Sequence, residues 1–132
     1  MQIDHHNGLP IYRQVIEQVR RQIMTGELAE GEQLVSVREL AEELKVNPMT
    51  VSKAYALLEM EGLLERRRGV GLFVAKLSEG KKRRTKEEFL GEILQRAAVA
   101  AVQLGIPEEE AIDMFSKMYG RIESKKGSRS NV

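Results

Sequence analysis

Three stretches of this sequence predict a mainly α-helical chain carrying one small β-hairpin. Between Ser36 and Met60, two short helical patterns are separated only by Lys45-Val46-Asn47. Directly afterwards, Leu63-Leu64-Glu65-Arg66 and Leu72-Phe73-Val74 flank Arg67-Arg68-Gly69-Val70-Gly71, a hairpin pattern with a basic, glycine-bearing tip. From Thr85 onward, apolar residues return at helical spacing over two more segments. A tight helix pair followed by a basic hairpin is the layout of a winged helix-turn-helix. The predicted organisation is a winged helix-turn-helix over residues 1–77, a polar basic linker over 78–84, two helices over 85–122, and a disordered polar tail over 123–132.

The first helix follows from Ile11, Val15, Val19 and Ile23, which recur every four positions, with Tyr12, Ile16 and Met24 widening the stripe. Gly26 sits at its expected stop. Residues 27–35 connect onward, with a short strand expected at Gln33 to Val35. Ser36 and Glu39 form a capping box that opens the second helix, whose buried side is Leu40, Ala41 and Leu44. Asn47 is a good N-cap, and Pro48 fits the first helical position, where its missing N–H costs nothing. The third helix runs to about Met60, burying Val51, Ala54, Tyr55 and Leu58, and Gly62 ends it. Gly69 and Gly71 permit the positive φ values that a hairpin tip requires.

A second capping box, Thr85 with Glu88, starts a long helix. Leu90, Leu94, Ala97, Ala101 and Leu104 follow as a short heptad seam. Phe89, Ile93, Ala98, Val99, Ala100 and Val102 leave this helix apolar over much of its circumference, so it needs cover on more than one side. Gly105 stops it. Pro107 and Glu108-Glu109-Glu110 suit the start of a last helix, where carboxylates meet the positive end of the dipole. Ala111, Ile112, Phe115, Met118 and Tyr119 are its expected inward face.

Composition narrows the function. With 5% aromatic residues and no Trp, the core must be aliphatic; with no Cys, disulfides and thiolate metal sites are excluded. No apolar run approaches the roughly 20 residues of a membrane helix, and the first ten residues lack the basic start and apolar stretch of a signal peptide. The chain therefore reads as a soluble cytoplasmic protein. His5-His6 lacks a third ligand and is not read as a metal site. No Ser/His/Asp set and no Gly-rich phosphate loop is visible, so neither catalysis nor a cofactor is expected. The net charge of +1 does not by itself announce a nucleic-acid partner, so the distribution of charge has to. Basic residues concentrate at Arg66, Arg67 and Arg68 and again at Lys81, Lys82, Arg83 and Arg84, whereas Glu39, Glu42, Glu43, Glu59 and Glu61 need another face.

A helix reads bases with short or fork-shaped polar groups on its N-terminal turns. Asn47, Pro48, Met49, Thr50, Ser52 and Lys53 occupy those turns in the third helix. Thr50 and Ser52 suit phosphate or base, Lys53 suits phosphate, and Met49 suits a thymine methyl. Arg38, in the first turn of the second helix, suits the DNA backbone or a guanine; its competing partner is Glu42, four residues on. Three arginines and Gly69 at the hairpin suit a minor groove, although a solvated basic hairpin has the same composition. Lys81 to Arg84 read as a phosphate-contacting linker.

These residues carry a resemblance. Gly31 to Val74 resembles the winged-helix domain of the GntR family of bacterial transcriptional regulators, and the run Asn47 to Tyr55, with the short helical tail, resembles its small YtrA-type subfamily. Ser36-Val37-Arg38-Glu39-Leu40-Ala41 matches the family's first helix of the pair, and the resemblance places its DNA-contacting arginine on Arg38. The wing-tip glycine falls on Gly69. Many family members carry Arg where this chain has Pro48 and Ser52, so operators of other branches do not transfer. The resemblance further implies that the C-terminal two helices are a dimerisation unit, through Phe89, Leu90, Ile93, Leu94, Ala97, Ala101, Leu104, Ile112, Phe115 and Tyr119; packing back on the winged domain is the alternative. The expectation is a homodimeric, sequence-specific regulator of transcription, a repressor acting on a palindromic site in double-stranded DNA. A winged helix serving as a protein-interaction module is the rival reading. About 36 ordered residues cannot enclose a ligand pocket, so a small-molecule effector would have to bind between subunits or at the dimer–domain interface.

Overall fold

The computed structural model of the protein describes Met1, Ile3, Asp4 and residues 10–130, with side chains as far as Lys126. His5-His6 lies outside the described residues. Five helices and one hairpin follow in the order α1 (Ile11–Thr25), α2 (Val37–Leu44), α3 (Pro48–Met60), β1 (Leu64–Arg67), β2 (Gly71–Val74), α4 (Glu79–Gln103) and α5 (Glu108–Ser130). Two compact units result, Met1–Lys86 and Glu87–Val132, with the boundary inside α4.

In the first unit the helices end where the local chemistry says they must. Gly26 closes α1 at φ 82°. The Ser36 hydroxyl accepts the Glu39 N–H at 3.1 Å and opens α2. Lys45 closes α2 in the left-handed region, at φ 56°, while the Val46 N–H reaches back to the Ala41 carbonyl at 3.0 Å. That backbone reversal is what keeps the turn before α3 to three residues.

The core is aliphatic, as the composition requires. Val15, Ile16, Val19 and Ile23 of α1 meet Leu40, Ala41 and Leu44 of α2, Val51, Ala54, Tyr55 and Leu58 of α3, and Leu63, Leu64, Leu72 and Val74 from the hairpin. Tyr12 leaves the expected stripe and is exposed, whereas Gln14 and Arg20 are buried. In the hairpin, Leu64 pairs with Val74 and Arg67 with Gly71 in antiparallel register. Alternation sends Leu72 and Val74 into the core and Phe73 to the other face. The strand expected at Gln33 to Val35 shrinks to a single bridge, Gln33 to Phe73, although the Leu34 N–H still bonds the Leu72 carbonyl at 2.8 Å.

Two expectations fail along α4 and α5. Residues 79–84 are helical rather than a linker, because Ser78 supplies the cap: its hydroxyl accepts the Lys81 N–H at 3.1 Å. Thr85 is then too deep in the helix to cap it; it is buried, and its hydroxyl donates to the Lys81 carbonyl at 2.8 Å. The polar stretch from Glu123 continues α5 to Ser130 instead of being disordered. Polarity argued against a packed core there, but a solvated helix needs none.

Candidate nucleic-acid interface

The first two turns of α3 hold the residues expected to read bases. The Asn47 carboxamide oxygen accepts the Met49 N–H at 2.8 Å, satisfying one of the free donors at the helix start. Val51, Ala54, Tyr55 and Leu58 anchor one side of the helix in the core. Asn47, Pro48, Met49, Ser52 and Lys53 are left exposed, and Thr50 is half-buried. Met49 keeps 64% of its surface open, a large apolar side chain offered to solvent amid polar neighbours. Tyr55 secures the helix from behind: its hydroxyl donates to the Val35 carbonyl at 2.9 Å. Burial, and then the negative Glu43, push that hydroxyl up to about 12.

Arg38 is exposed in the first turn of α2. It shares a shallow depression with Ala41, Glu42, Lys45, Val46 and Pro48, so the helix-turn-helix brings it beside the start of α3. Glu42 lines that depression too, yet no ion pair between Arg38 and Glu42 is among the contacts of the described residues.

The three wing arginines are not equivalent. Arg66 is taken by Glu59 of α3, its Nε and terminal nitrogen reaching the carboxylate at 3.3 and 3.1 Å. The Arg67 guanidinium sits over the Phe73 ring, its carbon 4.0 Å from the ring centre. Only Arg68, beside Gly69 at the tip, has neither kind of engagement. The tip itself is held: the Gln33 side chain donates to the Val70 carbonyl at 3.0 Å. Gly71 has φ 140°, a backbone conformation that L side chains rarely adopt, and a Cβ there would lie 2.9 Å from the Gln33 amide nitrogen and force that side chain aside. A cleft lined by Gln33, Ser36, Ser52, Arg66 and Val70 lies between wing and α3, so Ser52 and Arg66 face the same opening.

Lys81 belongs to the basic run expected to contact phosphate. Its ammonium donates to the Glu61 carbonyl at the end of α3, at 2.8 Å. Lys82 makes a loose pair with Glu79 at 3.6 Å, and Arg84 stays exposed. Sequence reasoning missed Gln33, Glu59 and Phe73 as the residues that fix the wing. Opposite charge on Glu59 and Arg66 was a visible signal; the Gln33 contact, spanning 37 positions, had none.

In the second unit, no described residue is buried. Leu90, Leu94, Leu104, Ile112, Phe115 and Tyr119 are all exposed, Phe89, Ile93 and Ala101 are half-buried, and Ala97 is exposed. Met114 and Ile122 join them as exposed apolar residues that the sequence reading left out. Phe115 and Tyr119, one turn apart, stack with ring centres 6.1 Å apart. Among the described residues no helix is long and apolar enough to cross a membrane, and no cluster of three or more metal-ligating side chains occurs.

Comparison with known proteins places this architecture. The sequence profile of "Bacterial regulatory proteins, gntR family" matches residues 11–74, from the start of α1 to the end of the wing. The HTH-type transcriptional repressor YtrA of Bacillus subtilis is 41% identical over 109 residues, which span 79% of this chain and 83% of that one. A GntR family transcriptional regulator from Listeria monocytogenes superposes with a TM-score of 0.71 at 31% identity, over 84% of this chain and 96% of its own. The DNA-binding domain of AraR, solved in complex with operator ORX1, superposes with a TM-score of 0.53 at 29% identity, over 57% of this chain and 95% of its own. These relatives are transcription regulators rather than enzymes, and their winged fold, α1 to β2, is the one built here. The chain belongs to the GntR family of bacterial regulatory proteins.

Proposed function

We propose that this protein is a sequence-specific DNA-binding repressor that works as a homodimer. The observation that carries the DNA reading is the exposure of Asn47, Pro48, Met49, Ser52 and Lys53 on the first two turns of α3, while the rest of the helix is locked into the core. The AraR DNA-binding domain, on a similar fold, is solved in complex with an operator, which supports the DNA-binding reading. Arg38 flanks the reading helix, and Arg68 with Gly69 reaches from the wing toward the adjacent groove. Thr50 is half-buried beside this surface, while Arg66 and Arg67 hold the wing rather than lead it.

The dimer reading rests on the second unit. Leu94, Leu104, Phe115 and Tyr119 are large, apolar and open to solvent. Covering each is worth about 1.5–3 kcal/mol, and a second copy of the same face supplies cover by symmetry. Two reading helices then address successive major grooves about 34 Å apart on a palindromic site. The repressor reading follows relatives named as repressors, YtrA and NagR of Bacillus subtilis among them.

The test is selection of duplexes from a random-sequence pool, followed by gel-shift titration at several salt concentrations. A palindromic motif is expected, with affinity falling steeply with salt. Arg38→Ala is expected to cost about 1–3 kcal/mol of specific binding if the guanidinium meets a base edge. Failure of the pool to converge on any motif would leave the protein-interaction reading standing. Repression is tested by deleting the coding frame and measuring transcripts from promoters that carry the motif; they should rise.

A further inference from the structure

Glu61, the residue that closes α3, is held from two sides. Its carboxylate accepts from the Arg20 guanidinium of α1 at 2.7 and 2.9 Å, and its carbonyl accepts from the Lys81 ammonium of α4 at 2.8 Å. We propose that Lys81 is a positioning residue for the reading helix and not a phosphate contact; this deepens the DNA-binding reading and rests on it.

The chemistry of a helix end explains the contact. The last carbonyls of α3 have no partner inside the helix, and they form the negative end of its dipole, so a cation there is favourable on both counts. Gly62, at φ 82°, turns the chain beneath Lys81: a Cβ at that position would lie 3.5 Å from the ammonium nitrogen. Lys81 is itself fixed at three atoms. Its N–H donates to the Ser78 hydroxyl, its carbonyl accepts from the buried Thr85 hydroxyl, and its ammonium holds Glu61. A lysine kept for phosphate would leave its ammonium to water instead. At 13 residues α3 is roughly 20 Å long. An anchor lost at its C-terminal end therefore swings the N-terminal turns, where reading geometry tolerates only about 0.5 Å.

The experiment compares Lys81→Ala and Lys81→Gln with Arg84→Ala, an exposed neighbour in the same basic run. The probes are a duplex recovered by the wild-type protein from a random pool and an unrelated duplex of equal length. Helix content by circular dichroism confirms that each variant is folded at the assay temperature. Lys81→Ala should weaken binding to the recovered duplex roughly tenfold, the loss of one charge-assisted hydrogen bond. Its affinity for the unrelated duplex and its slope of log K against log salt should stay those of wild type. A lysine neutralising phosphate behaves differently: both affinities fall and the slope drops by about 0.9. That second pattern, or unchanged binding to the recovered duplex, overturns the inference while the DNA reading survives. If the wild-type protein recovers no duplex at all, the DNA reading falls and the inference with it.

Discussion

The two units of this chain look alike as sequence and differ as structure. Both are patterned as amphipathic helices, yet Val15, Val19, Val51, Ala54 and Leu58 of the winged unit are sealed from solvent. In the second unit Val102, Leu104 and Ile122 keep 79%, 73% and 67% of their surface open, and nothing described there is buried. Spacing says that a helix forms and which residues seek cover. It does not say whether the cover lies in the same chain. The first unit closes because three short helices and a hairpin surround one centre. Two helices alone leave an apolar side open, the observation behind the proposal that a second copy covers it.

The sharpest way to test that contrast is to make the same cut in both units. Leu58→Ala, in a fully buried site, should cost about 2–5 kcal/mol by urea unfolding, with an unchanged m-value. Leu94→Ala, at 42% exposure, should leave the stability of dilute protein within about 0.5 kcal/mol of wild type. Equal costs would mean that the second unit carries a core of its own, and the comparison would break.

A charge placed on the open face addresses the partner directly. Leu94→Asp with Phe115→Asp should raise the dimer dissociation constant at least tenfold, about 1.4 kcal/mol or more. Sedimentation equilibrium reads this as lighter protein at micromolar concentration, while the melting of the winged unit holds steady. A wild-type protein that sediments as a monomer throughout would remove the dimer proposal.

How much of this was legible beforehand follows the same divide. The winged fold was, because its signals are local: the Ser36 cap, the Asn47-Pro48 start and the glycines at the turns each act within a few residues. The start of α4 was misplaced because two capping residues competed and Ser78, the earlier one, won. Within the candidate site, the exposed turns of α3 followed from which residues the core must take. The fates of Arg67 and Lys81 did not: one is decided by an aromatic face and the other by a partner 20 positions away, whereas the opposite charge of Glu59, seven positions from Arg66, was open to view. The N-terminus is a similar case. Gln14 was hidden in an apolar stripe, yet its carboxamide accepts the Asp4 N–H at 2.9 Å and donates to the Asp4 carbonyl at 2.8 Å, standing in for a peptide group. Met1 and Ile3 pack on the core beside it. Gln14→Ala should therefore cost about 1–3 kcal/mol in the winged unit, since both Asp4 backbone groups lose their partner. Wild-type stability in that variant would mean that the N-terminal segment adds nothing to the first unit.

The smallest effect belongs to Tyr55 and sharpens the comparison from the side of pH. Tyr55 is 2% exposed; its hydroxyl bonds the Val35 carbonyl and is pushed up from 10.0 to about 12 by burial first and by Glu43 second. The folded chain thus holds this proton more tightly than the unfolded chain does. The sign follows: the contribution is whole below pH 10 and is lost as pH rises from about 10 to about 12, where the unfolded tyrosine ionises and the folded one resists. Tyr55→Phe should cost about 1 kcal/mol at pH 7, the price of leaving the Val35 carbonyl without its donor. The variant should also lose stability less steeply than wild type across the alkaline window, so the two curves converge. Every other group is common to both proteins and cancels in the difference. Parallel curves from pH 9 to 12 would show that the Tyr55 hydroxyl is not sealed into the first unit, and that its core is more open than that of a domain standing without its twin.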